Sequence, residues 1–381
     1  MGNALSHLNF RIFSQAATGF GACATLAALV AITPAHAYDV NDKLSVGGVV
    51  AGVGQCLEVE NDAGALDTCK SAIAFQPEIT FNGEGLNTGF VKLGFAGGNG
   101  LNPVSPFVLS PWAADLQGDV ENINGRPRDH ILTAWYRRRV RLGENAEAGL
   151  TGGIIDATDY LDDNAFANDE YTQFMNEVFV NAPIASLPSY DWGGVGELDH
   201  GPFSARVVVM NVGENDDGNG YVFYGGQVAL TTTTPLGQGT YRLVAAGTND
   251  QFFDPAGTAL EGLSSLTFSA DQQLGENVGL FVRLGWQDEG AAVTHDAFYS
   301  GGVSVSGRLW ARDADTIGVA YAHLDGGNGD IRSSHVAEFY YRAVIDDHFA
   351  LTGDVQLLRD EVAGGNGPKG AIVSLRATKE F

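Results

Sequence analysis

Apolar and polar residues alternate along most of this chain, in segments of about ten residues separated by glycine, asparagine and aspartate. In 348–359, for example, Phe349, Leu351, Val355 and Leu357 share odd-numbered positions, while Thr, Asp and Gln occupy even ones. Because side chains point alternately to the two faces of a strand, the pattern predicts strands. We predict sixteen: Lys43–Gln55, Ser71–Asn82, Thr88–Ala96, His130–Leu142, Glu147–Ile155, Tyr190–Leu198, Phe203–Val212, Tyr221–Thr231, Gln238–Thr248, Gly262–Asp271, Glu276–Asp288, Ala297–Gly307, Thr316–Leu324, Ser334–Ile345, His348–Arg359 and Gly370–Glu380.

A soluble β-sandwich and a membrane β-barrel both show this alternation, and the lengths of the strands and connections distinguish them. Strands of soluble sandwiches average about 5–6 residues, whereas a tilted membrane strand needs about 9–11. The connections Gly143–Ala146 and Asp346–Asp347 are very short, as periplasmic turns are. The intervals Gly97–Asp129, Asp156–Ser189 and Thr248–Glu261 are long enough for outer or inward-folded loops. The fold class predicted is an all-β, 16-stranded antiparallel transmembrane β-barrel with an inward-folded loop and a short helix.

The first 37 residues have the composition of a secretory signal peptide. Arg11 is their only charged residue, an apolar run extends from Ala16 to Ile32, and Ala35-His36-Ala37 is a small-x-small cleavage site. We expect cleavage after Ala37, which leaves 38–381 as one outer-membrane barrel domain. A retained helical anchor is the alternative. Lipoprotein cleavage before Cys23 is disfavoured, because the apolar run continues beyond that cysteine.

Charge and cysteine content exclude some functions. Residues 38–381 contain 46 acidic and 20 basic side chains, so nucleic acid is not an expected partner. Cys56 and Cys69 are the only cysteines after the expected cleavage, and in an oxidising compartment they are expected to form one disulfide that closes a hairpin loop. Metal ligands of suitable type and spacing do not accompany them, and no cofactor is expected.

The stretch from His130 to Pro183 contains the most distinctive pattern of charges. As a strand, 131–142 places Arg137, Arg139 and Arg141 on one face and apolar residues on the other, apart from Arg138. An acidic, amide-rich loop follows at 156–170. The spacing of apolar residues then predicts a helix over 171–180, with Asn168 placed to cap it and Pro183 beyond its end. If the loop folds into the barrel, we expect it to face the arginines across water.

Candidate solute-binding residues follow from the chemistry of sugars, which are neutral and rich in hydroxyl groups. Arginine supplies forked donors, carboxylates and amides supply acceptors, and tryptophan supplies a stacking face. The candidates for the constriction are Trp135, Arg137, Arg139, Arg141, Asp159, Asp162, Asp163, Asn164, Asn168, Asp169, Glu338 and Arg342. Two alternatives stay open: the arginines serve as solvated wall, and Glu338 with Arg342 forms an ion pair within the wall.

Several segments resemble the carbohydrate-selective porin family of Gram-negative outer membranes, the OprB-type porins. The segment 159–176 is similar to that family's hallmark, and further likeness lies in 279–286, 301–309, 317–321, 338–341 and 354–356. The resemblance implies a sixteen-stranded barrel for passive uptake of sugars through a constriction lined by charged and aromatic residues. The region before Arg128 matches no pattern that we can assign.

Other readings of the function are compatible with the same sequence. An enzyme is disfavoured because neither Gly-x-Ser-x-Gly nor His-Glu-x-x-His occurs. The excess of acidic residues favours, as an alternative, a general or cation-preferring porin, and a structural or adhesin barrel is a further one. Expected partners are small hydrophilic solutes, outer-membrane lipid and lipopolysaccharide, and the barrel assembly machinery through the terminal Phe381. The assembly is expected to be a monomer or a homotrimer.

Overall fold

The computed structural model describes residues 38–60, 67–365 and 367–381. The predicted signal peptide, with its cleavage site, lies outside these residues. Twenty strands occur in the described ranges: β1 Tyr38–Asn41, β2 Leu44–Val59, β3 Thr68–Asn82, β4 Asn87–Leu93, β5 Phe95–Gly97, β6 Ile131–Arg141, β7 Ala146–Ile155, β8 Asp191–His200, β9 Phe203–Val212, β10 Tyr221–Thr234, β11 Gly237–Thr248, β12 Phe252–Phe253, β13 Leu260–Glu261, β14 Ser264–Leu274, β15 Val278–Gln287, β16 His295–Ser306, β17 Thr316–Gly326, β18 Ile331–Val344, β19 Phe349–Val362 and β20 Lys369–Glu380.

Sixteen strand positions close into an antiparallel barrel in the described part of the chain. Neighbours along the chain pair with each other, and β20 pairs with β2 to complete the cylinder. The short β5 continues the position of β4 against β3, while β1 folds back on β2. The hairpin of β12 and β13 lies within the long connection 248–261. The predicted fold class is confirmed, and every predicted strand overlaps a barrel strand.

The alternation of side chains matches the two environments of the wall. On β19, Val355 and Leu357 point outward and are 38% and 52% exposed, whereas Asp354 and Gln356 point inward and are 2% and 0% exposed. Apolar side chains therefore cover the outer face, where lipid tails offer no hydrogen bonds, and polar side chains face the interior. None of the helices among the described residues is long and apolar enough to cross a membrane.

Two chain segments fold into the barrel. We call 98–130 the first inward segment and 156–190 the second inward segment. The first contains helix α1 (Gln117–Glu121), and the second contains helix α2 (Glu177–Val180) with 3-10 turns at Ala157–Asp159 and Pro183–Ala185. One further 3-10 turn, Gly307–Trp310, lies at a barrel end. The sequence left open whether the interval Gly97–Asp129 forms an outer or an inward-folded loop, and the structure shows that it folds inward.

The predicted helix over 171–180 is shorter in the structure. It begins at Glu177, and its cap is Asn176, whose side chain accepts a hydrogen bond from the Val178 amide, instead of Asn168. The barrel wall takes the backbone groups that a longer helix would pair internally. The Arg376 guanidinium donates to the carbonyls of Glu170 and Gln173 at 2.6 and 2.9 Å. The spacing of apolar residues along the sequence does not show that a side chain of the wall binds these carbonyls.

Cys56 and Cys69 form a disulfide between β2 and β3, at directly opposed positions of the two strands. The link lies near the end of the hairpin where β2 ends and β3 begins. Phe381 lies at the other end of the barrel, where its backbone N–H and C=O pair with Gly48.

Candidate pore constriction

A buried arginine anchors the second inward segment to the wall. Arg283 on β15 has no exposed surface, and its Nε lies 2.9 Å from Asp162 Oδ2. Its Nη1 donates to the Phe179 carbonyl at 2.8 Å, and its Nη2 donates to the Ala167 carbonyl at 2.6 Å. A planar guanidinium with five donors can hold several backbone oxygens at once. Arg283 therefore connects both the acidic loop and helix α2 to one strand.

A carboxylate on β18 holds the middle of the same segment. Glu338 accepts hydrogen bonds from the amides of Met175 and Asn176 at 2.5 and 3.0 Å. Gln356 on β19 bridges the two inward segments, because it accepts from the Asn176 amide group at 3.1 Å and donates to the Pro111 carbonyl at 2.8 Å. These contacts satisfy irregular backbone that is buried away from bulk water.

Apolar packing completes the attachment. The Phe174 ring meets the Tyr340 ring edge to face at a centroid distance of 4.9 Å, and it lies 5.7 Å from the Phe281 ring. Trp112 of the first inward segment is fully buried, and its indole nitrogen donates to the Glu170 carbonyl at 3.0 Å. The two inward segments thus form one unit fixed to the wall, which leaves only part of the barrel interior open.

The open part contains a polar cavity of about 460 Å³ between the second inward segment and strands β3 and β4. Its lining combines carboxylates, amides, hydroxyls and one ammonium group. The polar and aromatic lining residues are Gln76, Glu78, Lys92, Asp156, Thr158, Asp159, Asp163, Asn168, Asp169, Glu170, Tyr171, Thr172, Asn181, Tyr190 and Glu380.

A second cavity, of about 340 Å³, adjoins the first. The residues that line both cavities are Asp156, Thr158, Glu170, Val180, Asn181 and Tyr190. The second cavity adds carboxylates from both inward segments, Asp115 and Glu177. We call the residues shared by the two cavities, together with Glu78, Lys92, Asp115 and Asp159, the constriction group.

The electrostatics of the constriction group are strongly negative. Lys92 is the only lysine or arginine among the described residues that line the two cavities, and its Nζ lies 3.4 Å from Glu78 Oε1. Clefts lined by one sign of charge concentrate counter-ions and repel co-ions. Within the described ranges, no three His, Cys, Asp or Glu side chains are arranged to hold a metal ion.

Several carboxyl groups of the inward segments have raised pKa values, and those of Asp115 and Asp159 reach about 7. Burial raises the pKa of Asp115 to about 7, and the charge of Asp156 adds to this effect, although the Tyr190 hydroxyl stabilises the carboxylate through a hydrogen bond of 2.7 Å. Loss of hydration among the surrounding protein atoms and, next, repulsion from the charge of Asp156 raise the pKa of Asp159 to about 7. Asp159 itself is exposed to lumen water, which weakens the effect of burial relative to Asp115.

Four of the predicted solute residues line the first cavity: Asp159, Asp163, Asn168 and Asp169. Asp163 is 60% exposed and pairs with Arg242 Nε at 2.7 Å, so its position is held by the wall while its surface stays open. Asp169 accepts hydrogen bonds from the amide of Tyr171 and the hydroxyl of Thr172, at 2.7 and 2.6 Å. The acidic loop therefore reaches the lumen as expected.

The four predicted residues of β6, Trp135, Arg137, Arg139 and Arg141, line neither of the two cavities. Trp135 packs against the apolar cluster that contains Tyr160 and Leu161 of the acidic loop, so a role of this face in the constriction stays a prediction. The Arg137 guanidinium lies over the Trp135 ring at 5.4 Å, while Arg139 pairs with Glu147 and Glu197 at 3.1 and 2.8 Å. Carboxylates on β7 and β8 thus pair with Arg139. Lys92 stands opposite the acidic loop in the first cavity.

Three of the remaining four predicted residues, Asp162, Asn164 and Glu338, attach the second inward segment to the wall. Asp162 and Asn164 are buried, the first against Arg283 and the second against the Ala270 carbonyl at 3.2 Å. The expected ion pair of Glu338 with Arg342 is wrong. Glu338 binds the backbone of the second inward segment, and Arg342 lies 3.7 Å from Glu380 instead. A buried carboxylate that already accepts two N–H groups has no surface left for a solute.

Several important residues were missed at the sequence level. Lys92 is the only charged residue of its predicted strand, and period-two alternation places it on the inner face. Asp115 lies in an interval rich in apolar residues, including Trp112 and Leu116, which signalled burial of that interval. Arg283 stands alone among apolar neighbours on β15, and this contrast was the available signal for an anchor.

Comparisons with known proteins agree with this geometry. The sequence model of the family described as "Carbohydrate-selective porin, OprB family" matches residues 137–381. The chain belongs to this family. OprB porins are outer-membrane channels of Gram-negative bacteria, not enzymes, so the chain is an outer-membrane porin whose lumen contains the constriction group.

This porin is also similar to solved porin structures and to a protein of Aquifex aeolicus. The high-pH structure of Pseudomonas putida OprB matches with a TM-score of 0.70 at 15% identity, over 89% of this chain and 94% of that one. An anion-selective porin from Comamonas acidovorans matches with a TM-score of 0.53 at 14% identity, over 89% of this chain and 99% of that one. An uncharacterised protein of Aquifex aeolicus is 28% identical over 294 residues, which are 76% of this chain and 79% of that protein. At these identities the solved structures show the fold alone.

Proposed function

We propose that this porin passes small neutral hydroxylated solutes, carbohydrates, by passive diffusion and that it disfavours anions. The observation that carries the proposal is the pair of adjoining cavities, whose lining contains many carboxylates and amides but only Lys92 as a cation among the described residues. The family's description as carbohydrate-selective supports the solute class.

The lining offers what a sugar needs for weak contacts. Each sugar hydroxyl can donate to a carboxylate such as Asp159 or Asp163, and it can accept from Lys92, Asn168 or Asn181. Tyr190 is partly exposed in the lining of both cavities, so an aromatic residue is present for the role that was expected of Trp135. Many weak contacts spread along a path let a solute enter and also leave, which a single tight site would prevent.

A second candidate function is a cation-preferring porin without preference for sugars. The lining favours it, because carboxylates far outnumber the one ammonium group. Both candidates reject anions, and they differ only in whether hydroxyl groups are recognised. The same proposal covers cleavage after Ala37, contact of the outer rim with lipopolysaccharide, and presentation of Phe381 to the barrel assembly machinery.

Liposome swelling with solutes of matched size tests this proposal. Glucose, the cation glucosamine and the anion gluconate differ in charge, while a neutral zwitterion of similar mass lacks the hydroxyl groups. We expect glucose to enter at least several-fold faster than gluconate, and faster than the zwitterion. Equal entry of glucose and zwitterion would support the second candidate, and entry of gluconate at the rate of glucose would contradict both.

The substitution Asp159→Asn connects the result to the site. It removes one charge from the exposed lining while it keeps the size of the side chain. We expect gluconate entry to rise, because repulsion of the anion decreases. Asp347→Asn is the matched control, since it removes the same charge in an exposed turn at the end of the barrel. A rise of equal size in both variants would assign the selectivity to overall charge instead of the constriction.

A further inference from the structure

Arg138 carries a positive charge on the face of the barrel that meets lipid. Its strand neighbours Arg137 and Arg139 point inward, whereas Arg138 shares the outward face with Tyr136 and Val140, which are 53% and 43% exposed. The structure gives its guanidinium no ion pair or hydrogen bond with any described residue. A charge in this position is costly unless it reaches a polar partner at the membrane surface.

An open apolar groove of about 610 Å³ lies beside Arg138 on the outer surface of β6 and β7. The register places Tyr136 opposite Gly152, Arg138 opposite Leu150, and Val140 opposite Ala148. The small residues therefore form a low floor between larger ones. A Cβ added to Gly152 would have no atom within 4 Å, so the space above this glycine is empty.

The depth of Arg138 in the wall matches the headgroup region of one leaflet. It lies three residues before Arg141, where β6 ends at a short turn, and it is opposite Asn87, the first residue of β4. Three residues of a strand span about 10 Å, and the strand is tilted, so a long arginine side chain reaches the membrane surface. Short turns face the periplasm in barrels of this kind, so the leaflet is the periplasmic one.

We propose that this groove binds one phospholipid of the periplasmic leaflet. The phosphate accepts from the forked donors of Arg138, and one acyl chain lies along the groove over Gly152 and Ala148. The unpaired cation selects this occupant over a second copy of the chain, because a protein contact through the same face would bury the guanidinium without a counter-ion.

Native mass spectrometry of the delipidated porin, titrated with phosphatidylglycerol, tests the proposal. Arg138→Gln removes the charge, and Gly152→Leu places a larger side chain in the groove, where an added Cβ meets no atom. Gly353→Leu is the matched control, because Gly353 also has open space around it but lies on β19. We expect the affinity for the first bound lipid to be about tenfold weaker in the first two variants and unchanged in the control.

Three results would overturn the site. Equal lipid retention in all variants would show that Arg138 and the groove do not hold the lipid. Loss in Gly353→Leu as well would show nonspecific annular lipid. A wild-type oligomer that Gly152→Leu converts to monomers would assign the groove to a subunit contact. Heat-modifiable migration on gels reports folding of each variant, and if Arg138→Gln does not fold, Gly152→Leu and Arg138→Lys, which keeps the charge and should retain lipid, decide the matter.

Discussion

At the scale of single residues, buried charges on the inner wall decide where the inward segments lie. Arg283 and Arg376 are both fully buried, and each holds backbone carbonyls of the second inward segment. Arg242 on β11 pairs with both Asp163 and Asp271. Buried ion pairs contribute little net stability compared with apolar packing, but removing one partner leaves an uncompensated charge. These residues therefore position the constriction and do not contact solute.

The substitution Arg283→Gln should release the second inward segment. The Asp162 carboxylate would stay buried without a counter-ion, at a cost of about 3–5 kcal/mol. We expect a larger single-channel conductance with frequent fluctuations, measured in planar bilayers. Arg308→Gln is the control, because its pair with Glu276 is exposed and should contribute no more than about 1 kcal/mol. A conductance unchanged in Arg283→Gln would mean that apolar packing alone fixes the segment.

At the scale of elements, the strands were predictable and the inward segments were not. Alternation depends only on a residue's own neighbours, so it located all sixteen barrel strands and the inner face of β6. The partner of an inward side chain depends instead on distant strands and on depth along the barrel. For that reason the sequence could not show that Arg139 meets Glu197 or that Lys92 faces the acidic loop. The helix after Tyr171 was overestimated for the same reason.

The disulfide belongs to this scale, since it joins two paired strands. Cys56 and Cys69 close a loop with a sequence separation of 13 residues. A cross-link that closes a loop of this size lowers the entropy of the unfolded chain and stabilises the folded protein by up to about 3 kcal/mol. We expect the double variant Cys56→Ser with Cys69→Ser to unfold at a lower temperature on heated gels, with unchanged conductance. A change of ion selectivity would contradict the placement of this link away from the constriction.

At the scale of the whole molecule, the barrel acts as a wall and the two inward segments act as a filter. Selectivity then depends on the charge of the constriction group, and the raised pKa values make that charge depend on pH. Carboxyl groups with a pKa near 7, such as Asp115 and Asp159, are negative above this pH and become neutral as the pH falls through it. The preference for cations should therefore be fully present at pH 8 and weaker at pH 5.

The reversal potential of the purified porin in a tenfold potassium chloride gradient, measured at pH 8 and pH 5, tests the central claim most directly. The account predicts clear cation selectivity at pH 8 and a shift toward zero at pH 5, because neutralised carboxyl groups attract potassium less. Selectivity for chloride at pH 8 would contradict a constriction whose described lining contains many carboxylates and Lys92 as its one cation.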